Sequence, residues 1–272
     1  MTDQLSFRLE TDLPKPPASL RPMLARLSPA PFDSSDHLFE PAWGGRRALA
    51  FVGPADREGD GDVAFVGDDG APIRPTPPEL DGLGVRVAAR SAVLDGELVV
   101  VDGDGRVDLP ELRRRLAGEP GRPVAYLAFD LLHLDGRSLL AMPLERRREL
   151  LRRVLRPGDE VVAVPAIPAE GRALFEAVAA QGLAGVLARG RSSPYLPGTR
   201  SRLWRFVPVS AAERGAAGEQ EAARAATSEG ISADDQRRGN GPVLALIRRL
   251  PLGLDDPVLP GETGDGGSSG VG

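Results

Sequence analysis

Apolar residues in this chain come in short runs, each closed by glycine, proline or an acidic turn, and that spacing constrains the fold more than any other feature. Val63–Val66, Val93–Leu94, Leu98–Val101, Val124–Leu132, Glu160–Val164, Val186–Leu187 and Leu203–Val209 have strand length and strand composition. Helical periodicity is confined to a few stretches. Asp108 can cap a helix through Leu116, Pro143–Leu155 spaces Leu144, Leu151, Val154 and Leu155 along one face, and Glu170–Gln181 is stopped by Gly182. Pro77–Leu80 can open a further helix, and Leu20–Leu27 is expected as a short one. Parallel strands need a long, usually helical, crossover each. There are too few here, so the expected class is α+β, antiparallel sheets with helices packed outside.

Two turns matter within that frame. Phe39 to Val52 reads as strand, Gly44-Gly45 turn, strand, because such a pair supplies the positive φ of a hairpin. Val93–Leu94 and Leu98–Val101 are read as two strands meeting at Asp95-Gly96-Glu97. Asp102-Gly103-Asp104-Gly105 has the start of a calcium loop without its remaining ligands, so a hairpin turn between Val101 and Val107 is the better reading.

Composition removes several kinds of chemistry. The absence of cysteine excludes disulfides, thiolate metal sites and cysteine nucleophiles, and fits an intracellular, cytoplasmic protein. No apolar run is long enough to span a membrane, and the N-terminus lacks a signal-peptide pattern. His37 and His133 have no ligand-spaced partners, so no metal site is expected. A net charge of −5 gives no global attraction to nucleic acid, and DNA contact would need a local basic face. Of 34 basic residues, Lys15 is the single lysine. A reaction that needs a lysine amine therefore has one candidate, and arginine cannot replace it as a nucleophile.

Residues 1–20 are Pro-rich and are expected to be a flexible lead, and 21–209 form the folded domain. The tail, 210–272, is rich in Gly, Ala and Glu and is expected to be mostly disordered, with 242–254 as a short helix or docking segment.

Motifs in order now give a resemblance that runs from about Arg21 to Pro208. Glu40-Pro41-Ala42-Trp43-Gly44-Gly45-Arg46-Arg47 resembles the nucleotide-attachment motif of ATP-dependent DNA ligases, Glu-x-Lys-aromatic-Asp-Gly-x-Arg. Leu94-Asp95-Gly96-Glu97-Leu98 resembles the motif whose glutamate holds the ribose. Phe129-Asp130-Leu131-Leu132-His133-Leu134-Asp135-Gly136, with Pro143 to Arg148 after it, is similar to the strand whose aromatic stacks on adenine and its following helix. Ser192 to Ser201, then Trp204, is the most specific match and points to the small ligases of actinobacterial type. The resemblance implies the nucleotidyltransferase, or adenylation-domain, fold. The tail has no run of alternating strands for the oligonucleotide-binding barrel that follows in the family, so no OB-fold is expected.

The same matches show what is missing. Ala42 stands at the position of the lysine that becomes adenylated, and Gly44 at the aspartate. Ala184 replaces the glutamate that supports the metal, and Phe206 and Pro208 replace the two lysines of the final motif. Nucleotidyl transfer needs a positioned nucleophile, a metal and cations for the developing charge. The expectation is a catalytically inactive pseudo-ligase with no required cofactor and no bound Mg. Residual contacts to ATP or AMP would come through Glu40, Arg47, Glu97, Phe129 and Arg189, and the partners would be DNA or DNA-repair proteins. Each residue has a plainer reading. Glu97 could pair with Arg47, Phe129 could be core, and Arg189 a solvated strand-end charge. Trp43 and Trp204 read as core, and the runs Arg113–Arg115 and Arg146–Arg148 as solvated helix faces, or as phosphate contacts. Two other functions stay open: an active ligase or nucleotidyltransferase with a non-standard nucleophile, and a protein-interaction scaffold without nucleotide binding.

Overall fold

The computed structural model describes residues 20–55, 61–102 and 106–210. The lead 1–19, the tail 211–272 and the segment 242–254 lie outside the described residues. In chain order the elements are β1 (Leu24–Leu27), β2 (Ser34–Ala42), β3 (Arg46–Ala55), β4 (Gly61–Gly67), a 3-10 turn (Pro78–Leu80), α1 (Leu83–Arg86), β5 (Ala92–Val99) and α2 (Leu109–Leu116). They continue with β6 (Ala125–Leu134), β7 (Arg137–Ser138), α3 (Leu144–Val154), β8 (Val161–Ala163), β9 (Ile167–Ala169), α4 (Gly171–Ala180), β10 (Gly185–Gly190) and β11 (Arg200–Pro208).

Two sheets result. One runs β1-β11-β10-β2-β9, and the other β4-β3-β5-β6-β7 with β8 beside β6. Most pairs are antiparallel; β1–β11 and β6–β8 are parallel. This is the expected α+β class, and no OB-fold occurs among the described residues.

The Gly44-Gly45 turn is not a hairpin. β2 bonds to β10 and β9 in the first sheet, while β3 bonds to β4 and β5 in the second, so the turn carries the chain between sheets. Gly44 sits at φ +84°, and a Cβ on Gly45 would come 2.1 Å from the Leu98 carbonyl oxygen. Asp95-Gly96-Glu97 is likewise no corner. β5 runs straight through it as one strand, and the irregularity appears only as register shifts against β6. Leu24–Leu27 is a strand instead of a helix, because β11 offers it an edge to pair with. Val101 and Val107 form the expected bridge, and Asp108 accepts the N–H of Glu111 at 2.9 Å.

Period-2 alternation divides the second sheet. One face gives Ala48, Ala50, Leu94, Leu98, Tyr126 and Ala128 to a core closed by Leu112 and Leu151. Its other face turns Arg47, Asp95, Glu97 and Phe129 toward the first sheet, with Leu49, Val93 and Leu132 packing on Met23, Tyr195 and Trp204. That second face is where the functional matches converge.

Candidate functional site

Glu40 and Ala42 alternate along β2 toward the second sheet, opposite Leu187 and Gly185 of β10. Arg189 of β10 pairs with Trp204 of β11. From the other side Arg47, Asp95, Glu97 and Phe129 meet them. All five expected nucleotide contacts therefore lie between the two sheets, and four of them are engaged with each other.

Arg189 is the centre of that arrangement. Its side chain is 0% exposed, with its guanidinium carbon 3.9 Å from the Phe129 ring centroid and 4.6 Å from that of Trp204. Nη1 lies 3.0 Å from Glu40 Oε2, yet among the described residues none of its nitrogens makes a hydrogen bond. Burial pushes its pKa below the ordinary arginine value, against the pull of Glu40 and with help from Arg47 and Arg148. A solvated strand-end charge it is not.

Glu40 is shared. Arg148 donates to its other oxygen, and also to the Phe129 carbonyl at 2.7 Å and the Val164 carbonyl at 2.5 Å. Arg147, 0% exposed, grips Asp130 through two bonds of 2.8 Å and donates to the Ser193 carbonyl at 3.0 Å. Both were expected on the solvated face of their helix. Arg115 departs from that expectation too, being buried against Glu79 at 2.8 Å. The sequence did hold a signal: Arg147 and Arg148 fill the i+3 and i+4 positions between Leu144 and Leu151 on the apolar stripe of α3.

Arg47 is held by Asp95, not Glu97. Its Nε and Nη2 reach the two Asp95 oxygens at 2.6 Å each, and the Tyr195 hydroxyl donates to Asp95 at 2.7 Å. Burial opposes the Arg47 charge, but the facing carboxylate outweighs it and raises the pKa above the ordinary value. The same guanidinium lies 4.5 Å from the Phe129 centroid. Phe129 itself is buried. Glu97 is half-buried and lies near the backbone N–H groups of Gly45, Gly44 and Trp43 in the sheet-switching turn. Burial raises its pKa, with Arg47 and those three N–H groups pulling the other way.

The degenerate positions lie at the ends of β2, β10 and β11 next to that cluster. Ala42 is buried opposite Gly185, and a Cβ on Gly44 would come 3.0 Å from the Ala184 Cβ, so those two positions abut. Half-buried Phe206 and exposed Pro208 follow on β11. Trp43 and Trp204 are core residues, as expected. Among the described residues no three carboxylate or imidazole groups converge to hold a metal ion. No helix among them is long and apolar enough to cross a membrane.

Comparison with known proteins agrees with the motifs. Residues 31–205 match the family model of the ATP dependent DNA ligase domain. The multifunctional non-homologous end joining protein LigD of Mycobacterium bovis is 35% identical over 187 residues, 68% of this chain and 23% of that protein. DNA ligase C1 of Mycolicibacterium smegmatis is 34% identical over 204 residues, covering 70% of this chain and 56% of that one. The chain thus spans well under two thirds of the curated relatives it matches. A structure of mycobacterial DNA ligase D complexed with ATP and MES superposes with a TM-score of 0.60 at 29% identity, covering 70% of this chain and 60% of the other. The ligase domain of M. tuberculosis LigD gives 0.57 at 30% identity, covering 70% and 59%.

Proposed function

This chain belongs to the ATP-dependent DNA ligase family, and from that premise we propose that it is a catalytically inactive member, a pseudo-ligase that acts in DNA repair and recombination by binding. The observation that carries the reading is the stack of Arg189 on Phe129. By resemblance Phe129 would receive the adenine ring, and Arg189 and Arg47 already lie against it. With Arg189 and Arg47 against Phe129 the residues present fit a bound nucleotide poorly, and Ala42 offers no amine to attack its α-phosphate. Nor do Ala184, Phe206 and Pro208 offer anything to a metal or a phosphate chain. ATP and AMP should bind weakly and with poor discrimination between them, and no cofactor is required.

What remains suited to a partner is an edge. Every ionisable side chain on β1 and β11 is an arginine: Arg26, Arg200, Arg202 and Arg205, all exposed. That locally basic edge suits a phosphate backbone despite the net charge of −5. The related end-joining proteins make DNA, or a DNA-bound repair protein in the cytoplasm, the fitting partner.

Intact mass after incubation with ATP and magnesium tests the inactivity, together with anisotropy titration of nicked duplex. The mass should not change, and the duplex should bind with a log–log salt slope no steeper than about −3.6, the value for four neutralised phosphates. A stoichiometric AMP adduct would establish the active alternative with a non-standard nucleophile. No binding of duplex at low salt would leave the interaction scaffold.

A further inference from the structure

Three adjacent strands carry an apolar row. Leu27 of β1 pairs with Phe206 of β11, which pairs with Leu187 of β10. Leu27 is 73% exposed, and Phe206 and Leu187 are half-buried. The Phe206 ring lies against Gly185, where an added Cβ would come 2.7 Å from its edge. Exposed Pro208 and half-buried Ala184 border the row. Single exposed apolar residues are ordinary, but a row continued across three neighbouring strands offers an apolar segment something to pack on.

Where the described chain stops indicates the occupant. The Val209 N–H donates to the Ala184 carbonyl at 2.9 Å, so the chain leaves the sheet at Ser210 on the border of the row. Residues 211–272 follow, outside the described residues. Their sequence is rich in Ala, Gly and charged residues, and its longest aliphatic run is Val243-Leu244-Ala245-Leu246-Ile247, with Leu250, Leu252 and Leu254 after it. A random-coil connection of roughly 30 residues has an r.m.s. reach of about 30 Å, enough to return to its own exit point. We propose that Val243–Leu254 docks on the Leu27–Phe206–Leu187 row of its own chain. Tethering makes this binding intramolecular, which lowers the association cost that a free partner or a second copy would have to overcome on so small a patch.

The chain has no cysteine, so crosslinking can be read without background. Full-length Pro208→Cys, at the exposed border of the row, is combined with either Arg248→Cys or Ser232→Cys, and the rate of intramolecular coupling by a short bismaleimide is followed by mass. Without docking, position 232 should react about twofold faster, since effective concentration falls as roughly the −3/2 power of tether length. Docking reverses that order. The reversal should disappear on Phe206→Asp, and also on Leu246→Asp with Leu250→Asp, which leave the described domain untouched. Faster coupling at 232, or a reversal that survives both sets of variants, would overturn the proposal. So would coupling between chains, which would assign the row to a second copy.

Discussion

Arg189 and Arg148 share one carboxylate but differ in what else they satisfy. Arg148 donates to two carbonyls besides Glu40, whereas Arg189 has the ion pair and two aromatic faces only. A buried charge with unfilled donors contributes little to stability, and its removal is tolerated where the carboxylate it faces keeps another cation, as Glu40 keeps Arg148. Arg189→Met should therefore change stability by less than about 1 kcal/mol, since Arg148 still donates to Glu40, while Arg148→Met should cost about 3–5 kcal/mol by leaving both carbonyls without a donor and Glu40 with no hydrogen-bond donor. Denaturant unfolding of the two variants decides it, and equal losses would mean that Arg189 holds the sheets together. The two histidines give a pH prediction. Burial lowers the pKa of His133, and burial with the Arg205 charge lowers that of His37, from an ordinary 6.5. The unfolded chain then binds protons first, so stability is full above 6.5 and falls as pH drops below it. A His37→Gln/His133→Gln variant should lose less thermal stability than the natural chain between about pH 7.5 and about pH 5.5.

At the scale of elements, the turn after β2 decides whether the site exists at all. Gly45 meets the Leu98 carbonyl so closely that any side chain there must push β3 off β5. Gly45→Ala should cost about 3 kcal/mol or more. Gly82, at the start of α1, has φ −75° and nothing within 4 Å of an added Cβ. Gly82→Ala should be neutral or stabilising by up to about 1 kcal/mol through the unfolded chain. Thermal melts of the pair measure the contrast, and a small loss for Gly45→Ala would show that the two sheets are loosely joined.

For the molecule as a whole, the proposed inactivity implies that more than one residue separates this site from an adenylating one. Ala42→Lys alone should not restore adenylation. The new amine would be buried opposite Gly185, beside a cluster in which Arg148 and Arg189 already share the Glu40 charge. Burial would cost a few kcal/mol or depress its pKa. Combining it with Gly44→Asp, Ala184→Glu, Phe206→Lys and Pro208→Lys should give at most slow adduct formation, because Arg189 still covers Phe129. Intact mass and nick closure read both variants, and rapid adenylation by Ala42→Lys alone would show that the site kept its phosphate chemistry.

By itself the sequence determined what depends on near neighbours. The strands around Ala125–Leu134 and Arg200–Pro208, the Asp108 cap and the Gly182 stop follow from periodicity and turn chemistry within a few residues. The family was legible for the same reason, since its motifs are local strings. What only the tertiary structure decided is which strand pairs with which and which charges are buried. Glycine 44 and 45 permit a turn, but whether β3 folds back on β2 or crosses to a second sheet depends on the hydrogen bonds offered by β10 and β5, far along the chain. Leu24–Leu27 became a strand because β11 had an edge to fill. Arg147, Arg148 and Arg189 look like surface charges until Asp130 and Glu40 arrive to meet them. Burying a guanidinium is favourable only against a partner that the local sequence does not contain.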